Sequence, residues 1–201
     1  MKKTVSFILF LIVCLCHAQT EKEQRSFQNE LNLQYSSKQS SPLSSKDRKL
    51  FKGLPFYQWN KEYIVIASLT LTPDAPLFKM ATTTDRAPLY QQYAIATFIL
   101  NGQKEELRIY QSQDSKFNLE YKDYLFLPFK DLTNGEETYL GGRYIDVFIS
   151  NIINNSIIID FNKAYNPYCA YNHQYSCPIP PNENHLNTYI PAGVKKGLLK
   201  E

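Results

Sequence analysis

LYQQYAIATFIL-NG-QKEELRIYQ, residues 89–111, is two runs of strand-forming residues joined by two others, Asn101 and Gly102. Asn-Gly between such runs is a strong hairpin signal, because both turn positions need positive φ and these two residues tolerate it. The reading is a long antiparallel hairpin, and the neighbouring sequence extends it. Upstream lies the β-branched run EYIVIASLT (62–70). Downstream lie YLFLPF (124–129), TYLGGRYIDVFI (138–149), SIIIDF (156–161) and a short run near TYIPA (188–192). A second Asn-Gly sits in the turn DLTNGE (131–136). Strands with short connections and no intervening helices predict a mainly β domain, an antiparallel sandwich or barrel-like fold, over residues 54–201.

Before residue 54 the period changes. Phe27, Leu31 and Tyr35 recur every four residues, which predicts a helix over 21–37 with one apolar face. SSKQSSPLSS (36–45) is a serine-rich linker, and Ser45 is placed to cap a short helix, KDRKLFK, that stops at Gly53. Residues 19–53 thus form an N-terminal helical segment. No internal repeat is present. Fifteen tyrosines and twelve phenylalanines fit either cross-strand packing or a tyrosine-lined groove.

The chain begins MKKTVSFILFLIVCLCHAQ. Lys2 and Lys3 form a basic start, and Val5–Cys16 is almost wholly apolar but shorter than the roughly 20 residues a membrane span needs. Small residues before a cut between Ala18 and Gln19 complete a secretory signal peptide over residues 1–18, which predicts a periplasmic or secreted protein. Val13 and Leu15 stand where a lipid-attachment box needs a small residue, which disfavours a lipoprotein. Cleavage leaves 183 residues and lowers the net charge from +3 to +1. That near-neutral chain shows no footprint for nucleic acid, and no later apolar run is long enough to span a membrane. Its length suits one domain with a sizeable core.

Several stretches resemble the bacterial family catalogued as domain of unknown function 1684. They are FLPFKDLTNGEETY (126–139) leading to GGRY (141–144), then DFNKAYNP (160–167), then Cys169-Ala-Tyr, Ser176-Cys-Pro and ENHL (183–186). LFKMATTTDRAPLYQQYAIATFILNG is similar to the same family's hairpin region. The likeness spans about residues 22–195. It implies placement in a family and no particular activity. Leu140 stands where the family's pattern resembles a glycine. His173 lies where that pattern has no fixed histidine, which weakens a metal or catalytic role for it.

Cys169 and Cys177 are eight residues apart, each beside a proline. In an oxidising compartment they are expected to form a disulfide worth about 2.5 kcal/mol. The alternative is zinc held by Cys169, His173, Cys177 and His185, although this spacing matches no standard zinc motif. A Cys–His nucleophile would require unbonded cysteines.

A glycine pair within the 138–149 run marks a bulge or a close approach to the backbone. Arg143 beside it either holds an anion, walled by Tyr139 and Tyr144, or pairs internally with Asp146, Asp160 or Glu137. Asp160, Asn162, Tyr165 and Asn166 either satisfy turn backbone or join Arg143 in a polar pocket. Glu137 or Asp160 with a bound water is the carboxylate pattern of a hydrolase. The hydroxyl-rich TTTDR (82–86) fits turn and cap roles. With no phosphate-cradling glycine loop, calcium loop or nucleophile elbow, no cofactor is expected. The balance favours a binding or structural module over an enzyme, with a small anionic ligand at Arg143.

Overall fold

The computed structural model describes residues 22–197. The expected signal peptide over residues 1–18, with the cut expected after Ala18, lies outside them. Helix α1 (residues 22–36) and α2 (Ser45–Leu50) precede seven strands. These are β1 (Ile64–Leu71), β2 (Leu77–Lys79), β3 (Leu89–Leu100), β4 (Gln103–Ser112), β5 (Tyr124–Phe129), β6 (Arg143–Phe148) and β7 (Ser156–Asp160). A one-turn helix α3 (Gln113–Lys116) follows β4, and short 3-10 turns punctuate the remainder.

All strands join one antiparallel sheet in the order β6-β5-β4-β3-β1-β7, with β2 beside β3. The sheet curls into a half-barrel. The hairpin closes as the sequence predicts. Asn101 and Gly102 have φ of 51° and 77°, and Leu100 pairs with Gln103. A register shift between Gln92 and Ala94 bends β3.

Period-two alternation sends one set of side chains into the curl. Val65, Ala67 and Leu69, then Ala94, Ala96 and Phe98, then Leu125, Leu127 and Phe129 form one core with Ile145, Val147, Ile157 and Ile159. The chain after β7 plugs it. Phe161 meets Phe98 and Phe129 at ring distances of 5.9 and 5.3 Å, and Leu186, Ile190 and Ala192 complete the packing. A second cluster lies under α1, where Leu31 and Tyr35 meet Leu43, Leu54, Tyr171 and Val194. Tyr35 packs edge-on against Tyr171 at 5.0 Å.

Three local expectations are corrected. The strand expected over 138–149 begins only at Arg143. Gly142 has φ of 95°, and a Cβ there would lie 2.7 Å from the Phe129 carbonyl oxygen, so the glycines form a turn at a close approach to the backbone, the second of the two expectations, and not a bulge. Residues 188–192 form no strand, because the Ile190 and Ala192 carbonyls accept from the Arg143 side chain instead of a ladder. The α2 cap is Ser44, whose hydroxyl accepts from the Asp47 N–H, rather than Ser45.

Candidate functional site: an aromatic cavity floored by Asp146

Alternation along β6 separates residues that their closeness in sequence suggests joining. Arg143, Ile145 and Val147 point into the curl; Tyr144 and Asp146 point out of it. Arg143 is 0% exposed. It forms an ion pair with Asp131, and its guanidinium donates to Thr133 Oγ1 (3.4 Å) and to the Ile190 (3.0 Å) and Ala192 carbonyls. Phe129 stacks 5.1 Å beneath it. The anion expected at Arg143 is therefore replaced by an internal carboxylate, and the partner is Asp131 rather than Asp146, Asp160 or Glu137. The guanidinium is closed off from solvent, although its Nε has no hydrogen-bond partner among the described residues.

The other residues singled out from the sequence disperse. Asp160 accepts from the backbone and side chain of Asn162, at 3.0 and 2.9 Å, and Asn162 clamps the backbone of Asn60. Asn166 is buried and donates to Tyr171 Oη and the Lys195 carbonyl. Glu137 accepts from the hydroxyls of Tyr57 (3.0 Å) and Tyr189. Tyr139 Oη lies 3.8 Å from Cys169 Sγ. Glu137 and Asp160 thus hold turns in place and do not share a cleft.

The proposed zinc cluster does not assemble. His173 is exposed in its loop, and His185 is held on a separate turn against the Pro180 carbonyl at 3.1 Å. Among the described residues no three His, Cys, Asp or Glu side chains gather in a metal-binding group. The expected disulfide is not formed in this structure: Cys169 and Cys177 are buried free thiols. They are nevertheless neighbours, with the Cys169 N–H donating to Cys177 Sγ at 3.1 Å. The Cys177 thiol, ahead of the opposing effect of burial, pulls the Cys169 thiol down to about 7. TTTDR anchors this loop. Thr83 N–H donates to the Cys177 carbonyl (2.9 Å), Arg86 donates to the Ser176 carbonyl (3.0 Å), and Thr84 and Ser176 hydroxyls meet at 2.6 Å.

Outside the curl, the β5–β6 register sets Phe126 beside Asp146 and Tyr124 beside Phe148. This outward surface, α1 and the 165–178 segment enclose a cavity of about 580 Å³. Tyr165 reaches it because its backbone pairs with that of Tyr144 beyond the edge of the sheet, at 2.9 and 3.0 Å. Phe27, Glu30, Leu31 and Gln34 of α1 form one wall; Tyr168, Tyr175, Ser176 and Cys177 form another, with Arg86 and Tyr90 also lining it. Gln34 donates to the Tyr168 hydroxyl, tying these two walls together.

Asp146 is the carboxylate of the sheet wall. Its Oδ1 accepts from Tyr165 Oη at 2.6 Å and Tyr124 Oη at 2.9 Å. The residue is exposed to solvent on the cavity side, while Tyr124 and Tyr165 crowd its carboxylate. Burial of that carboxylate raises its pKa above the ordinary value, and the two tyrosine hydroxyls oppose the shift. Burial also pushes the Tyr124, Tyr165 and Tyr144 hydroxyls up, so they remain protonated donors. Of the residues the sequence proposes as ligand contacts, Tyr144 and Tyr165 line this cavity, and Cys177 of the cysteine pair lines it too. Asp146 enters the sequence reading only as a partner for Arg143. The signal that could have found it is that Tyr124, Phe126, Tyr144 and Asp146 all fall on the face opposite the apolar set.

Fold and cavity together define a curled antiparallel domain with a tyrosine-rich, ligand-sized recess on its outer face. The chain belongs to the family described as Protein of unknown function (DUF1684), whose model matches residues 49–195. It is similar to a solution NMR structure of the uncharacterized protein from gene locus rrnAC0354 of Haloarcula marismortui. The TM-score is 0.70 and the identity 30%, over 90% of this chain and 96% of that one. A search of curated proteins gave no match. No helix among the described residues is long and apolar enough to cross a membrane.

Proposed function

We propose that this protein is an exported module that binds a small organic molecule in the cavity between α1 and the outer face of β5 and β6. The observation that carries the reading is a recess of about 580 Å³, walled by aromatic rings, with Asp146 fixed by two tyrosine hydroxyls. Ligand sites are recesses of about 300–1,000 Å³, mostly apolar, with a few placed polar groups. The signal-like segment over residues 1–18 supports export. Export in turn supports closure of Cys169–Cys177, since an external disulfide oxidant would take two hydrogens from these adjacent thiols and itself be reduced to a dithiol. Closure would fix the loop that carries Tyr175 and Ser176 into the cavity wall.

The test is paired native and denaturing mass spectrometry of protein recovered from its exporting cells without reductant. The expected native mass exceeds the denatured mass by one small organic molecule. The denatured mass is expected to be two hydrogens below that of the reduced mature chain. Equal native and denatured masses, in protein that also resists stabilisation by small organic molecules, would count against the binding reading.

A further inference from the structure

The cavity's charge and shape specify more than its size does, and the inference rests on the binding reading above. Both tyrosine hydroxyls that hold Asp146 land on Oδ1, which leaves Oδ2 without a hydrogen-bond donor among the described residues. The positive group in the lining, Arg86, is engaged by Ser176. Its Nε lies 3.3 Å from Ser176 Oγ, and its terminal nitrogen lies 3.0 Å from the Ser176 carbonyl. A second carboxylate, Glu30 of α1, also lines the cavity. The lining thus holds two carboxylates against one guanidinium already engaged by the loop.

The rings add to this. Phe126 meets Tyr144 at 4.7 Å and 77°, and Tyr144 meets Tyr165 at 5.9 Å and 86°. Tyr168 and Tyr175 cross at 70°. These mutually packed rings make up an aromatic box in the sense that they line the cavity on more than one wall. The π faces of such a box carry partial negative charge, which attracts a compact cation.

We propose that the ligand is an organic ammonium ion with an apolar body. Its N–H donors engage Asp146 Oδ2, and its body rests against Phe126, Tyr144 and Tyr168. The tyrosines anchor the carboxylate, and the aromatic box replaces the water that the cation gives up on entry.

Three probes sharing one skeleton test this: 2-phenylethylammonium, 2-phenylethanol and phenylacetate, titrated calorimetrically at millimolar concentration into the mature protein. The ammonium ion is expected to bind about tenfold or more tightly than the alcohol, and phenylacetate least. In Asp146→Asn, whose amide oxygen can still accept from both tyrosines, the ammonium preference is expected to vanish while alcohol binding persists. The wild-type preference is also expected to decline as pH falls through the raised Asp146 pKa. The Tyr124, Tyr144, Tyr165 and Tyr90 hydroxyls, which burial pushes up, stay protonated there. Repeating the titration in Glu30→Gln separates Glu30 from Asp146. Equal binding of all three probes would overturn the ammonium assignment and leave the binding module standing. Tightest binding of phenylacetate would transfer recognition to Arg86 and also overturn it. Binding of none would overturn both readings.

Discussion

Arg143 and Asp146 are three residues apart and have opposite roles because a strand alternates its faces. Arg143 is an interior clamp. Arg143→Ala is expected to destabilise the protein by about 3–5 kcal/mol, because it leaves Asp131 buried and unpaired and frees two carbonyls. Denaturant unfolding would show the loss. A variant of wild-type stability would return Arg143 to the candidate ligand contacts. Asp146 works against folding at neutral pH. Its folded pKa is raised, so its contribution to stability is present below the unfolded value of about 3.9 and lost as pH rises through the folded value. Asp146→Asn removes that loss. The wild type is therefore expected to fall behind the variant across the pH range just above 3.9, and thermal melts at successive pH values would reveal it. A difference that stays constant with pH would contradict the assignment.

At the scale of elements, two glycines with similar φ differ in what surrounds them. Gly102 has φ of 77°, and a Cβ there would meet nothing within 4 Å, so Gly102→Ala is expected to cost about 1–2 kcal/mol of conformational strain alone. Gly142 has φ of 95°, with the Phe129 carbonyl oxygen and Pro180 Cγ each 2.7 Å from a Cβ. Gly142→Ala is expected to cost more than Gly102→Ala, and chemical denaturation of the two variants side by side checks the order. The same contrast explains what is legible in the sequence. The β3–β4 hairpin can be read because its turn chemistry is local. So can α1, whose apolar spacing at Phe27, Leu31 and Tyr35 becomes its buried face. The turn at 138–142 reads as strand because its decisive contact, Gly142 against Phe129 and Pro180, joins residues distant in sequence. The candidate site is legible only in part. Tyr144 and Tyr165 stand out, but proximity along the chain groups them with Arg143, whereas the site is defined by the outward face of β5 and β6 taken as a set.

For the whole molecule, the 165–178 segment connects the two candidate roles of the C-terminal half. It lines the ligand cavity through Tyr165, Tyr168, Tyr175 and Ser176, and it carries both cysteines. Closure of the disulfide in exported protein is expected to add about 2.5 kcal/mol. Melting with and without reductant measures this, and identical melts would show that the thiols never paired. The core itself depends on residues far apart in the chain. Ile64 pairs with Asp160, and Leu186, Ile190, Ala192 and Val194 fill space between elements formed much earlier. Synthesis therefore runs ahead of folding. A ribosome that has made the whole sheet has still not supplied the residues that seal it, and Arg143 waits for the carbonyls it will bind. Without residues 186–194 in place, the inner face of the curled sheet would be an open hydrophobic trough.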